Sequence, residues 1–267
     1  ISGEVLALVS SPSYDSNMFT TYVTKTKAAE REANNYTDTV NRFSKTYAPG
    51  STMKLITAAI GLNTGKINPD ESIEINGLTL ENRLVMTPMG TNFGEQNGEM
   101  SFLHMDYYER RVQGGYELMI VENACVKYPE GSNGTTQLRI DADNYIPRLY
   151  KLCETIHQYG AKIAIQLNHA GASALESRIG MQPVSASNLP NKECGAIPRK
   201  LSVEEIYSIA DDYATSAKRA QTIGFDAIEI HAGHSYLISQ FLSPLTNDRT
   251  DEFGGNIENR ARFAKIL

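Results

Sequence analysis

Three side chains capable of chemistry, His231, His234 and Tyr236, directly follow a short apolar run from Phe225 to Ile230. Apolar residues at Phe225, Ala227, Ile228 and Ile230, behind a helix-stopping Gly224, read as a strand entered from a helix. Imidazole donates, accepts and exchanges hydrogen near neutral pH, while a phenol is a weak acid that keeps its proton there. In a parallel α/β protein, ligands sit at the carboxyl ends of strands, so these three groups form a candidate site. The alternative is a pair of structural histidines bonding nearby carbonyls. A second combination lies far upstream: Pro49–Gly50 forces a turn, Ser51 starts a helix running to about Leu62, and Lys54 falls on the same face as Ser51. That spacing suits a nucleophile with its base, or equally an N-cap serine with a solvated lysine.

The elements that must position these groups follow from the pattern around them. Three times a helix ends at glycine and an apolar run ends in polar residues: GGYELMIVEN, YGAKIAIQLN and IGFDAIEIHA. With RLVMTP in front, this gives four strands and three intervening helices, an alternation that requires a parallel sheet with helices outside. Ser101 caps the first helix and Gly114–Gly115 end it. Pro147 suits the first turn of the second, with Ile146, Leu149, Leu152, Ile156 and Tyr159 as its apolar stripe. Ser202 and Glu205 form a capping box for the third, which buries Ile206, Ile209, Tyr213, Ala217 and Ala220. Thr87-Pro88-Met89, Glu122-Asn123, Gln166-Asn168-His169 and His231-His234 all fall at carboxyl ends of strands, where barrel enzymes gather their chemistry.

Composition excludes several classes. The 267 residues are 41% apolar and 21% charged with a net charge of −6 and no basic block, which disfavours nucleic acid or an anionic membrane as partner. Cys125, Cys153 and Cys194 lie far apart without CxxC spacing, so neither a disulfide framework nor a metal site is expected, and a reduced compartment fits. The longest apolar run, around Leu55 to Leu62, is too short to span a bilayer.

The phrase from His231 to Tyr236, with QFLSPLTNDRTDEFGG and ENRARF after it and NRLVMTPMGTNFG and IQLNHAG before it, resembles the old yellow enzyme family of FMN-dependent ene-reductases over about residues 76–267. The MGTNFG and LNHAGASALESRIG phrases lean towards the enoate-reductase and NADH:flavin oxidoreductase branch. The resemblance implies a (β/α)8 TIM barrel of which this chain carries the first four strand–helix units, Ile257 to Leu267 being the opening of the fourth main helix. It implies FMN as cofactor, NADH or NADPH as hydride donor, and an α,β-unsaturated small molecule as substrate. His231 and His234 match the donors to the substrate carbonyl, and Tyr236 matches the proton donor. Gln166 matches the amide contact to the flavin pyrimidine, Pro88, Met89 and Gly90 match the segment beside the ring, and Asn123 is a further candidate for that cavity. Gly90 stands where some relatives carry Thr or Cys, and HAGASA replaces the HAGR of many members. No metal or iron–sulfur cluster is expected. Self-association of two half-barrels would close the open fold.

GEVLALVSSPSYD and NRFSKTYAPGSTMK resemble the start of the transpeptidase domain of penicillin-binding proteins, a small α+β fragment over residues 1–76. That resemblance makes Ser51 the acyl-enzyme nucleophile and Lys54 its base. The SxN and KTG elements of those enzymes occur nowhere in the sequence. Such transpeptidases work outside the cytoplasmic membrane, whereas a nicotinamide-fed flavoenzyme is expected in the cytoplasm. The sequence thus reads as a chimera with domains 1–76 and 77–267, joined at Ser72-Ile-Glu-Ile-Asn-Gly77.

Overall fold

A computed structural model describes residues 63–65, 72–75, 77–191 and 196–267. Ser51, Lys54, Cys194 and the strand expected at Val5 to Val9 lie outside the described residues. The chain divides into two compact units, Ile1–Ile67 and Asn68–Leu267, and the elements below belong to the second.

An antiparallel hairpin opens it, β1 (Ile73–Ile75) with β2 (Leu78–Leu80), turning at Gly77, which has φ +83. Four parallel strands then build the sheet: β3 (Val85–Met86), β4 (Leu118–Cys125), β5 (Lys162–Asn168) and β8 (Ala227–Ile230), in the spatial order β3-β4-β5-β8. α1 (Phe102–Val112) joins β3 to β4, and α2 (Ile146–Gln158) joins β4 to β5. The connection to β8 carries a two-residue parallel pair, β6 (Val184–Ser185) with β7 (Arg199–Lys200), and the long α4 (Val203–Ile223). A short α3 (Glu176–Ile179) precedes β6, α5 (Leu237–Leu242) follows β8, and α6 (Ile257–Arg260) with α7 (Arg262–Ile266) close the chain.

The helix ends are set by the residues that the sequence singles out. Ser101 Oγ accepts from His104 N at 3.1 Å, satisfying one of the free amides of α1. The Ser202–Glu205 capping box is complete, and Glu205 also takes a two-pronged contact from Arg199 at 2.8 Å. Gly160 and Gly224 end α2 and α4 in left-handed conformations, φ +82 and +106.

Alternation in the strands separates two faces. Ile163, Ile165 and Leu167 of β5 are buried with Leu149, Leu152 and Ile156 of α2 and with Ile206, Ile209 and Tyr213 of α4. In parallel register, Ala164 and Gln166 lie beside Ala227 and Glu229 and point to the opposite face. Tyr159 departs from its expected place in the apolar stripe: it is 46% exposed at the end of α2. Its hydroxyl accepts from Gln113 and donates to Glu109 at 2.8 Å, so it ties α2 to α1 through polar contacts. Arg249, in the conspicuous NDRTDEFGG phrase, is buried and donates to Ala186 O and Leu201 O at 3.0 and 2.7 Å while pairing with Asp251. That phrase is a strut between loops. Among the described residues, no helix is long and apolar enough to cross a membrane, and no cluster of His, Cys, Asp and Glu forms a metal site.

Candidate active site

Sheet pairing runs one residue beyond β8, because His231 N donates to Leu167 O at 3.0 Å. His231 therefore continues the face that carries Gln166 and Glu229. Beyond it the chain turns sharply. His234 and Ser235 both adopt left-handed backbone, φ +52 and +57, a conformation that costs a non-glycine residue about 1–2 kcal/mol. Such strain persists only where surrounding contacts hold it. Here the holder is Gln240 of α5: its amide nitrogen donates to Ser235 O and Ala170 O, and its oxygen accepts from Ala172 N and Ser185 Oγ. A side chain at Gly171 (φ +60) would place a Cβ 2.3 Å from that oxygen, so glycine is required beside it.

The turn brings three rings together. His231 meets His234 edge-on at 5.0 Å between centroids and Tyr236 edge-on at 4.9 Å. Gly233 N donates to His231 Nδ1 at 3.3 Å, which leaves the ring hydrogen on His231 Nε2. That Nε2 lies 3.2 Å from His234 Nδ1, so His231 donates and His234 accepts, with the hydrogen of His234 on its outer nitrogen. The expected pair of donors thus hydrogen-bonds to itself. Burial, and secondarily the neighbouring His234, hold the His231 imidazole below its ordinary pKa, favouring this neutral form. Tyr236 is half-buried and its phenolic oxygen accepts from Asn133 Nδ2 at 2.7 Å.

The other expected residues spread along the same strand ends. Gln166 is buried and its amide donates to Glu229 on the adjacent strand, two positions before His231. Asn168, the last residue of β5, is fully buried with neither polar side-chain atom hydrogen-bonded among the described residues. Pro88, Met89 and Gly90 follow β3; Met89 is exposed, and a Cβ at Gly90 would meet nothing within 4 Å. Asn123 is taken up by Gln137, whose Nε2 donates to its side-chain oxygen at 3.2 Å.

A neutral ring with alternating donors and acceptors, such as the pyrimidine edge of a flavin, fits this donor set. Gln166 offers an amide, Gly90 an uncluttered backbone and Met89 an apolar side chain. Segments 87–91, 166–170 and 229–236 contain no Lys or Arg, so they suit the ring rather than a phosphate.

Sequence reasoning missed two supports, Asn133 and Gln240, and it named Glu122 at a strand end without foreseeing the buried group that this residue forms behind the β3 end. In that group, Glu122 accepts from Thr91 N at 3.0 Å and lies 3.2 Å from His104 Nε2, which also lies 2.7 Å from Thr91 Oγ1. The shift in pairing between Val121 and Ala124 accompanies this contact of Glu122 with α1. A charged residue inside an apolar strand was the available signal for Glu122; Asn133 and Gln240 carried none.

The sequence model of the "NADH:flavin oxidoreductase / NADH oxidase family" matches residues 71–267, and that of the "Penicillin binding protein transpeptidase domain" matches residues 2–103. The chain is 44% identical over 190 residues to an NADH oxidase of Thermoanaerobacter brockii, a match covering 71% of this chain and 29% of that protein. It is 42% identical over 197 residues to an NADPH dehydrogenase of Bacillus subtilis (strain 168), covering 73% and 57% respectively. A structure of morphinone reductase in complex with tetrahydroNAD superposes with a TM-score of 0.69 at 32% identity, covering 74% of this chain and 58% of that one. The chain thus spans less than two thirds of each of these relatives. Over residues 71–267, with a transpeptidase-like sequence in front, it belongs to the NADH:flavin oxidoreductase / NADH oxidase family, the old yellow enzyme group.

Proposed function

We propose that residues 77–267 are the first four strand–helix units of an FMN-binding barrel that reduces the C=C bond of α,β-unsaturated carbonyl or enoate substrates with NADH or NADPH. The observation that carries this reading is the convergence of His231, His234 and Tyr236 on one turn at the carboxyl end of the sheet. FMN, when bound, supplies hydride that it has taken from the nicotinamide; Gln166, Pro88, Met89 and Gly90 are the residues that would hold its ring, with Asn123 at the margin.

The side chains then act on the substrate. As the alkene accepts hydride, negative charge grows on the carbonyl oxygen. The His231 Nε2 hydrogen is directed at a neutral acceptor, His234 Nδ1. A carbonyl oxygen that becomes anionic is a stronger acceptor, so exchanging one for the other stabilises the transition state more than the bound ground state. His234 contributes its outer nitrogen hydrogen. Tyr236 keeps its proton at neutral pH and delivers it to the α-carbon. The test is turnover of a cyclic enone by chain loaded with FMN. His231→Ala and His234→Ala are each expected to lower the rate of enone reduction about 10²–10³-fold, while flavin reduction by the nicotinamide is unchanged; equal losses in both half-reactions would sink the assignment.

The chain also presents two strand edges, β3 and β8, each paired on one side only among the described residues. Leu84 beside β3 is 43% exposed and Ile228 in β8 41% exposed. Unpaired, partly apolar edges favour edge-to-edge association, so two copies of the chain joining their half-barrels is the accompanying proposal.

The transpeptidase match over residues 2–103 supports a second reading, acyl transfer by Ser51 with Lys54 as base. Labelling by a fluorescent β-lactam that disappears in Ser51→Ala would favour it; no labelling would remove it.

A further inference from the structure

We propose that Asn133 is a positioning residue for Tyr236, fixing the direction in which the phenol presents its hydrogen. This rests on the reading of Tyr236 as proton donor. An amide nitrogen only donates, so the 2.7 Å contact from Asn133 Nδ2 occupies a lone pair of the phenolic oxygen. The hydroxyl hydrogen must then point away from Asn133. When the proton leaves, the same amide faces the oxygen on which negative charge is left, so the bond is stronger in the product of proton transfer than before it.

Asn133 is itself held in place. Its backbone N–H donates to Gln137 Oε1 at 2.8 Å, and Gln137 Nε2 donates to Asn123 Oδ1 at 3.2 Å and, more weakly, to Asn123 O. A relay of amides thus runs from the end of β4 to Tyr236. The preceding loop is pinned as well: Ala170 N donates to Gly131 O at 2.8 Å, and a Cβ at Gly131 would come 2.7 Å from the His169 ring. The backbone of Asn133 is therefore held where its side chain reaches the phenol, which lowers the entropic cost of keeping that contact at the moment of reaction.

Two variants and one spectroscopic readout test this in the full chain. Asn133→Leu removes the donor. Asn133→Asp keeps the shape but offers only acceptors, drawing the phenol hydrogen towards residue 133. The enone-dependent step is expected to slow about tenfold in Asn133→Leu, in line with the loss of one hydrogen bond, and further in Asn133→Asp. Flavin reduction by the nicotinamide is unchanged in both. In a Tyr236→Phe background neither substitution costs anything more. Without FMN, the ring-carbon NMR signal of labelled Tyr236, assigned by its disappearance in Tyr236→Phe, is expected to move in both Asn133 variants.

An unmoved signal, or an Asn133→Asp variant as fast as the parent beside a slow Tyr236→Phe, overturns the Asn133 proposal alone. A Tyr236→Phe variant as fast as the parent removes the acid role itself, and with it the functional reading from which this one starts.

Discussion

Two buried imidazoles give the protein an acid sensitivity of predictable sign. Burial is the main cause that lowers the pKa of His169, with Glu130 opposing it, and burial followed by His234 lowers that of His231. In the unfolded chain both would titrate near ~6.5. Below that pH the unfolded state binds protons that the native state refuses, so stability falls as pH drops through that value and is retained above it. Thermal midpoints followed by circular dichroism between about pH 7.5 and 5.5 should decline on acidification, and His169→Gln should flatten part of the decline; a midpoint that rises towards pH 5.5 would contradict the burial of these rings. At this scale the sequence disclosed the reactive groups better than their supports. His231, His234 and Tyr236 stand out because their types are uncommon directly after an apolar strand. Asn133 is separated from Tyr236 by 103 positions and sits in a stretch that reads as an ordinary polar loop, so only the fold brings them together. The self-bonded state of the two histidines was equally hidden, since it depends on the left-handed turn at His234 and Ser235.

Secondary structure was legible where length and periodicity reinforced each other. α1, α2 and α4 and the four strands of the parallel sheet fall where glycine stops, caps and apolar runs place them. β6 and β7 are two residues each, too short for any period to register. The expected single helix at the end is divided into α6 and α7 at Ala261, and the β1–β2 hairpin turns at a lone Gly77 within a stretch that reads as the entry to a strand. Since caps and core contacts are what the sequence specifies, they are also where single changes should be felt. Ser202→Ala removes the N-cap of α4 and is expected to cost about 1 kcal/mol. Leu152→Ala, at a fully buried position between α2 and the sheet, should cost about 2–5 kcal/mol through lost burial and the cavity left behind. Urea denaturation read by circular dichroism measures both, and equal losses would contradict the larger weight assigned to packing at Leu152.

For the molecule as a whole, the sheet has four parallel strands among the described residues, with β3 and β8 each paired on one side only. At micromolar concentration the 29.5 kDa chain is expected to sediment as a dimer or larger, and Ile228→Lys on β8 to shift it towards monomer; a monomer throughout would show that these edges are tolerated in water. The two family matches, over residues 2–103 and 71–267, were readable from motifs alone, because each family carries its own phrases, whereas the pairing of strand edges is a property of the assembled sheet. The most direct test of the account is anaerobic. Chain loaded with FMN is bleached with NADPH or NADH, then mixed with a cyclic enone, and the return of flavin absorbance is followed. The account predicts rapid return in the parent and a rate about 10²–10³-fold lower in His231→Ala. Flavin that returns equally fast in both, or a chain that retains no flavin, would contradict it.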